Sequence, residues 1–274
     1  MPELPEVETI RRGLQRWATG KTVARVRVWR PDMVRGSVPR LRRALCGLTL
    51  HGIGRRGKVL LLDFGPQVLL VHLRMTGVLL CHNGNEPLPS HPRIILEFTD
   101  GCRVVFQDVR ALGTVELVDK DRLDDARSLA GIGPDVLDGG LDAEALRASF
   151  AGHTRDIKTH LLDQRHFAGI GNIYACEALF RARIRPTRRC SRLTRAETQR
   201  LARSIRAVLQ DAIRHGGTTV SDYRGPDGLA GDYAHHLMVY GREGRRCRRR
   251  GCGGEVRRMV QAGRSTFCCP RCQR

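Results

Sequence analysis

Two groups of residues in this chain have types and spacings that chemistry could use. Near the C-terminus, Cys247, Cys252, Cys269 and Cys272 read C-x4-C, then sixteen residues, then C-x2-C. Paired cysteines separated by a hairpin-length segment suit one tetrahedral zinc ion held by four thiolates. Such a site is structural, because no coordination position is left open for catalysis. Cys268, a spare thiol beside Cys269, is an alternative third ligand, although the turn from Cys269 through Pro270 and Arg271 to Cys272 favours Cys269. The segment between the pairs, residues 257–267, reads as a two-stranded hairpin with Gly263 and Arg264 near its tip. An arginine placed there can grip a phosphate.

The second group is the N-terminus. Met1 precedes proline, a small residue, so removal of methionine leaves Pro2 as a terminal secondary amine. An α-amino group has a pKa near 8, so roughly a tenth of it is neutral at pH 7. Such an amine can attack an aldehyde-like carbon and form an iminium, with Glu3 and Glu6 close in sequence as acid or base. The same residues are also a helix start: Pro5, Glu6 and Glu8 stand with Val7, Ile10 and Leu14 at helical spacing. A third pattern, Gly169-Ile170-Gly171-Asn172, lies between two helical stretches, with Asn172 as an N-cap. It either offers free N–H groups to a phosphate or simply ends one helix and starts the next.

Charge names the class of partner. The 274 residues hold 48 Lys and Arg against 28 Asp and Glu, a net +20, which points to a polyanion and so to nucleic acid. Nearly all the cations are arginine; only Lys21, Lys58, Lys120 and Lys158 are lysine. A lysine differs as a compact charge able to lose its proton, so each position matters. No stretch approaches the roughly 18 apolar residues of a membrane span, and the N-terminus is too acidic for a signal peptide. An intracellular, reducing location is expected. Cys46, Cys81, Cys102, Cys176 and Cys190 then read as buried small hydrophobes rather than disulfides.

The elements that must position these groups follow from periodicity. After the N-terminal helix, residues 21–117 read as strands, including a hairpin turned at Thr99-Asp100-Gly101. Residues 119–140 form a linker rich in Asp and Gly. Helical patterns then cover 142–150, 154–164, 172–182 and 195–215. Residues 217–235, with many Gly and few large apolar groups, read as a mobile loop. The tail from Arg242 carries eleven Arg and two Glu, too little for an apolar core of its own. The expected class is α+β and multidomain: 1–118 a β-rich domain with one helix, 141–235 helical with its loop, 236–274 the finger.

Eight blocks together resemble the formamidopyrimidine-DNA glycosylase family: PELPEVET at 2–9, GRRGK at 54–58, HLRMTG at 72–77, FQDVR at 106–110, LLDQ at 161–164, AGIGNIYACEALF at 168–180, GGTT at 216–219 and VYGREG at 239–244. With the finger they run in family order from end to end. The resemblance implies an N-terminal β-sandwich, a helix–two-turn–helix domain and a zinc finger, with double-stranded DNA bound across the cleft. It makes Pro2 the nucleophile at C1′ of a damaged nucleotide and Glu3 the general acid/base. Lys58 becomes the catalytic-site lysine at the lesion phosphate, and Lys158 a second lysine near the damaged base. Met75 becomes the wedge that fills the gap left by the extruded base, and Arg110 holds the orphaned cytosine. Asn172 and Arg264 hold flanking phosphates, the 217–235 loop closes over the base, Glu6 faces the lesion pocket, and His72 and His91 lie on the DNA side. Tyr240 lines the DNA path or serves the core.

There are departures. Leu112 stands where the family usually carries an aromatic wedge, Ala111 where a second arginine is common, and the first cysteine knuckle is C-x4-C rather than C-x2-C. The resemblance further implies excision of oxidised purines, strand cleavage by β and δ elimination, and a monomer in the bacterial cytoplasm. A chain resembling endonuclease VIII, which favours oxidised pyrimidines, would share proline, glutamate, lysine and finger. The PELPEVE start and the pair Met75 and Arg110 argue against it. Intact Pro2, Glu3 and Lys58 argue against a non-catalytic DNA binder.

Overall fold

The computed structural model describes residues 1–219 and 223–274 and divides into two compact units, one of Met1–Ala130 with His215–Asp232, the other of Gly131–Arg214 with Tyr233–Arg274. Segment 215–232, grouped by sequence with the helices, therefore packs with the N-terminal strands, and residues 220–222 of that loop lie outside the described residues.

The first unit opens with helix α1 (Leu4–Ala18), which buries Leu4, Val7, Ile10 and Leu14 at helical spacing, so one face is wholly apolar. Strands follow: β1 (Val23–Val28), β2 (Val34–Arg35), β3 (Gly52–Arg56), β4 (Val59–Asp63), β5 (Gln67–His72), β6 (Gly77–His82), β7 (Pro92–Phe98), β8 (Arg103–Asp108) and β9 (Thr114–Asp119). They make a four-stranded sheet in the order β1-β7-β8-β6 and a five-stranded sheet in the order β2-β9-β5-β4-β3. Leucines, valines and isoleucines of both sheets join the face of α1 in one core, which makes the unit a β-sandwich with helix α1 against β3, β4 and β6.

A second helix of this unit, α2 (Val38–Leu45), was not expected. Ser37 caps it by accepting from Arg40 N at 3.4 Å, Pro39 fits its first turn, and Leu41 and Leu45 are buried. Its C-cap is Cys46, which is exposed, contrary to the expected burial; Cys81 and Cys102 are half-buried, while Cys176 and Cys190 are buried as expected.

The second unit contains α3 (Ala143–Ser149), α4 (Ile157–Leu161), α5 (Asn172–Arg181), α6 (Arg195–Arg214) and the hairpin of β10 (Arg257–Gln261) and β11 (Arg264–Cys268). Asp142 caps α3 through hydrogen bonds from Glu144 N at 2.9 Å and Ala145 N at 2.7 Å. α4 is shorter than its periodicity suggests. The hairpin turns at Ala262 and Gly263, both with positive φ (46° and 71°), the backbone twist that a two-residue connection needs. Its core is shared with α5: Cys176, Phe180, Val239, Val256 and Phe267 form one cluster. Borrowed apolar surface and the cysteines together replace the core that the arginine-rich tail lacks. No helix among the described residues is long and apolar enough to cross a membrane.

Candidate active site and nucleic-acid interface

Pro2 is buried at the head of α1, directly before the capping residue. Glu3 is the N-cap and only 3% exposed; its side chain takes the backbone N–H of Glu6, while Glu6 Oε2 accepts from Glu3 N at 2.7 Å, a reciprocal capping box. Glu6 Oε1 accepts from Thr218 N at 2.7 Å, and the Tyr223 hydroxyl donates to Gly216 O at 3.1 Å. Gly217, at φ 84°, lies so close that a Cβ there would sit 2.9 Å from Glu6 Oε1. One buried carboxylate thus ties the first turn of α1 to segment 215–219. Glu6, expected to face a lesion pocket, is 2% exposed and serves as this tie.

One turn further, Glu8 accepts from Arg11 (3.0 Å), Arg12 (2.7 Å) and Arg55 (3.1 Å). Burial alone would raise its carboxyl, but the three guanidiniums outweigh that and hold it down at about 2. Arg11 also donates to Ile53 O at 3.1 Å, so α1 is pinned against β3. The turn leaving β3 carries Lys58, 8% exposed, at a position where Gly57 takes φ 58°. His72 on β5 pairs with Val59. Burial, then Arg74 and Lys58, push the His72 imidazole down to about 3, so it stays neutral beside those cations. Its Nδ1 accepts from Arg74 N at 3.0 Å.

Met75, Arg110 and Leu112 occupy two loops of this unit, and all three are exposed, Met75 to 41% and Leu112 to 45%. Both loops are strained: Arg74 and Ala111 take φ 56° and 49°, and His91, also exposed, takes φ 53°. What holds them is Asp108, fully buried, which sequence reasoning missed although it lies inside the FQDVR block. Its Oδ1 accepts from the Thr76 hydroxyl and from Arg110 N, and its Oδ2 accepts from Gly113 N at 2.7 Å. A carboxylate with three donors fixes both loops at once.

In the second unit, three expected site residues converge on the hairpin. Lys158 on α4 is completely buried, its Nζ donating to Thr266 Oγ1 at 2.6 Å and Ser265 O at 3.3 Å. Asn172 Nδ2 donates to Ser265 O at 2.9 Å and stands 3.5 Å from the Tyr240 hydroxyl. Tyr240, half-buried, packs edge-on against Phe267 with ring centroids 4.9 Å apart. The N-cap of α5 is Gly171 rather than Asn172, whose side chain turns toward β11 instead. The glycine turn before it is stapled by Gln164, which accepts from Gly169 N and donates to Ile170 O, both at 2.9 Å. Arg264 is exposed at the first position of β11. Glu177, also unforeseen, is buried and accepts from the backbone N–H groups of Met238, Val239 and Tyr240 at 2.8–2.9 Å, which locks the approach to the finger onto α5. Its carboxyl is raised, since burial outweighs those three bonds.

The Sγ atoms of Cys247, Cys252, Cys269 and Cys272 all lie within 4.8 Å of one another, with Cys247 to Cys272 at 3.9 Å and Cys252 to Cys269 at 3.6 Å. A tetrahedron of sulfurs at zinc–thiolate bond length has edges of about 3.8 Å, so this cluster fits a metal ion. Cys268, the last residue of β11, is buried and outside the cluster.

Comparison with known proteins gives these parts a family. Residues 1–115 match the formamidopyrimidine-DNA glycosylase N-terminal domain and residues 132–224 the formamidopyrimidine-DNA glycosylase H2TH domain. The formamidopyrimidine-DNA glycosylases of Cereibacter sphaeroides and Novosphingobium aromaticivorans are each 44% identical, over 283 and 275 aligned residues, with all of both chains covered. Among solved structures, the Lactococcus lactis Fpg in complex with an abasic site containing DNA matches at TM-score 0.91, and its complex with an N7-benzyl-Fapy-dG containing DNA at 0.92. Both are 35% identical over the whole of each chain. With an α+β fold, a metal-competent cysteine cluster and both domain types matched in order, this chain belongs to the formamidopyrimidine-DNA glycosylase family.

Proposed function

We propose that this chain is a bifunctional glycosylase that excises oxidised purines, 8-oxoguanine and formamidopyrimidines, from duplex DNA and then cuts the strand in base excision repair. The observation that carries the reading is the locked first turn of α1: Pro2 precedes a capping box whose Glu6 is tied in turn to Thr218. A nucleophile gains most when its approach is fixed in advance.

Removal of Met1, which is 44% exposed, frees the Pro2 amine. Its nitrogen attacks C1′ of the damaged nucleotide as the glycosidic bond breaks and the base leaves with a proton. Loss of the amine proton leaves Pro2 nitrogen and O4′ both on C1′; breaking the C1′–O4′ bond, with O4′ taking a proton, then opens the sugar to an iminium between Pro2 and C1′. That cation acidifies the neighbouring sugar hydrogens, and β then δ elimination breaks the C–O bonds to the 3′ and 5′ phosphates. Glu3, beside the nucleophile, moves the protons. Lys58 holds the lesion phosphate, with neutral His72 next to it adding no competing charge.

Met75 fills the space of the extruded base, Arg110 meets the orphaned cytosine, and Leu112 supports the wedge with less stacking surface than an aromatic ring. His91 lies on the same DNA side. Arg264 and Asn172 hold flanking phosphates. Lys158 and Tyr240 act through the hairpin, since the Lys158 ammonium and the Tyr240 ring are both engaged with β11. Zinc bound by Cys247, Cys252, Cys269 and Cys272 supplies folding energy to the segment that carries Arg264. The enzyme works as a monomer in the bacterial cytoplasm. Borohydride trapping on duplexes tests the reading: a covalent adduct forms at 8-oxoguanine opposite cytosine and far less at thymine glycol. The reverse preference would assign the chain to the oxidised-pyrimidine class, and DNA binding without any adduct would make it a binder.

A further inference from the structure

Away from the cysteines, the second unit gathers three histidines: His153 after α3, His160 on α4 and His166 in the turn that follows α4. One ring nitrogen from each lies within 4.8 Å of the others. The His160 and His166 rings stack with centroids 4.3 Å apart, and His153 lies 5.2 Å from the first and 5.1 Å from the second. His160 is completely buried, and the other two are half-buried.

The protonation of His160 follows from its neighbours. The Ser149 hydroxyl has one proton, which it donates to Leu146 O at 2.7 Å. Its oxygen must therefore accept from His160 Nε2, 3.0 Å away, so the proton of the neutral ring is on Nε2. That leaves Nδ1 as a bare lone pair, buried, with no hydrogen-bond partner. Such a group costs free energy unless something fills its lone pair. A ring N–H held by an outer partner with the opposite nitrogen bare is the arrangement of a metal-binding histidine. The third ring is held differently: His166 Nε2 lies 2.9 Å from Arg155 Nη2, whose other nitrogen Nη1 rests 3.1 Å from Asp163 Oδ2. Asp163 Oδ2 is itself 3.9 Å from His166 Nε2 and also takes Arg165 at 2.7 Å.

We propose that His153, His160 and His166 form a second metal site, which binds a divalent transition-metal cation through three imidazole nitrogens with water in the remaining position. Zinc–imidazole bonds of about 2.0 Å in a tetrahedron place nitrogens about 3.3 Å apart. The half-buried rings of His153 and His166 close the difference by rotation around the fixed His160. Arg155 is the competitor: it must release His166 and fall back on Asp163, whose carboxylate it already holds. The bound ion would link the end of α3 to the turn after α4, three residues before Gly169.

The test uses the full-length protein with its four-thiolate site first filled with zinc, then titrated with Co2+. The expected result is one further equivalent whose d–d absorption reports nitrogen and oxygen ligands, with no sulfur charge-transfer band. His153→Ala, in a turn outside the helices, weakens that equivalent by roughly 100-fold, and Ser149→Ala, which frees the His160 tautomer, by roughly 10-fold or more. Arg155→Met tightens it, a sign that a merely structural role for these residues does not give. Circular dichroism confirms that each variant keeps its helices. No second equivalent in the folded parent protein, or one unchanged by both His153→Ala and His166→Ala, overturns the proposal.

Discussion

The head of α1 and the C-terminal hairpin both hold a few polar groups rigidly, and they do so by different means. At α1, polar groups are held by polar groups: Glu6 joins Glu3 N to Thr218 N, and Glu8 gathers three arginines over a fully apolar helix face. The hairpin has no such face. Residues 257–268 lean on Phe180 and Val239 for their core, on Lys158 and Asn172 for anchorage, and on a cysteine cluster for closure. A sandwich core can hold buried ion networks, whereas an arginine-rich tail leans on a metal-competent cysteine cluster and a borrowed helix.

The largest effect should come from breaking the second arrangement. Cys252→Ser removes one thiolate of the cluster, and structural zinc in finger peptides contributes about 10–16 kcal/mol. The hairpin should lose its order and the protein its metal and most of its DNA affinity, while the sandwich unfolds as before. Metal analysis with denaturation followed by circular dichroism checks this; an unchanged metal content would remove Cys252 from the site.

Breaking the first arrangement should cost less. Glu6→Ala takes the shared acceptor from two buried N–H groups, at about 1–3 kcal/mol each, read as a lower midpoint in denaturant with metal content unaltered. If stability is kept, Glu6 does not tie α1 to residue 218.

Acid should separate the regions further. The Glu8 carboxyl sits at about 2 in the folded chain against 4.5 ordinarily. Its contribution, roughly 2 kcal/mol, is fully present above pH 4.5 and is lost as pH falls through about 2. Glu8→Gln should flatten that acid limb in a pH series of unfolding free energies; a limb of unchanged steepness would contradict the ion network.

The smallest effect concerns the hairpin tip. Arg264→Ala should weaken DNA binding at every sequence and reduce the salt slope by about 1. An unaltered slope in binding isotherms would take Arg264 off the phosphates.

Much of this was legible in the sequence because it is periodic or spaced: the apolar face of α1, the strands, the cysteine pairs and the ordered family blocks. What was missed depends on partners far away in the chain. Asp108 looks like an ordinary strand-end acid until Thr76 and Gly113 are seen to meet it, and Glu177 looks like a helix-surface residue until Met238–Tyr240 fold over it. Helix α2 was missed for a different reason. Its signals, Ser37 as cap and Pro39 in the first turn, are local and readable, but a helix of eight residues among strands gives too short a period to stand out. Asn172 was misplaced by one residue because a glycine capped the helix and freed its side chain to reach β11.

The proposed chemistry stands on reaction through the chain's own terminal secondary amine. The most direct measurement is to trap the active enzyme with borohydride on an 8-oxoguanine:cytosine duplex, digest it, and locate the adduct by mass spectrometry. The expected result is a single adduct on the Pro2 nitrogen of chains that have lost Met1. An adduct on Lys58, or full activity from protein that retains its initiator methionine, would contradict it.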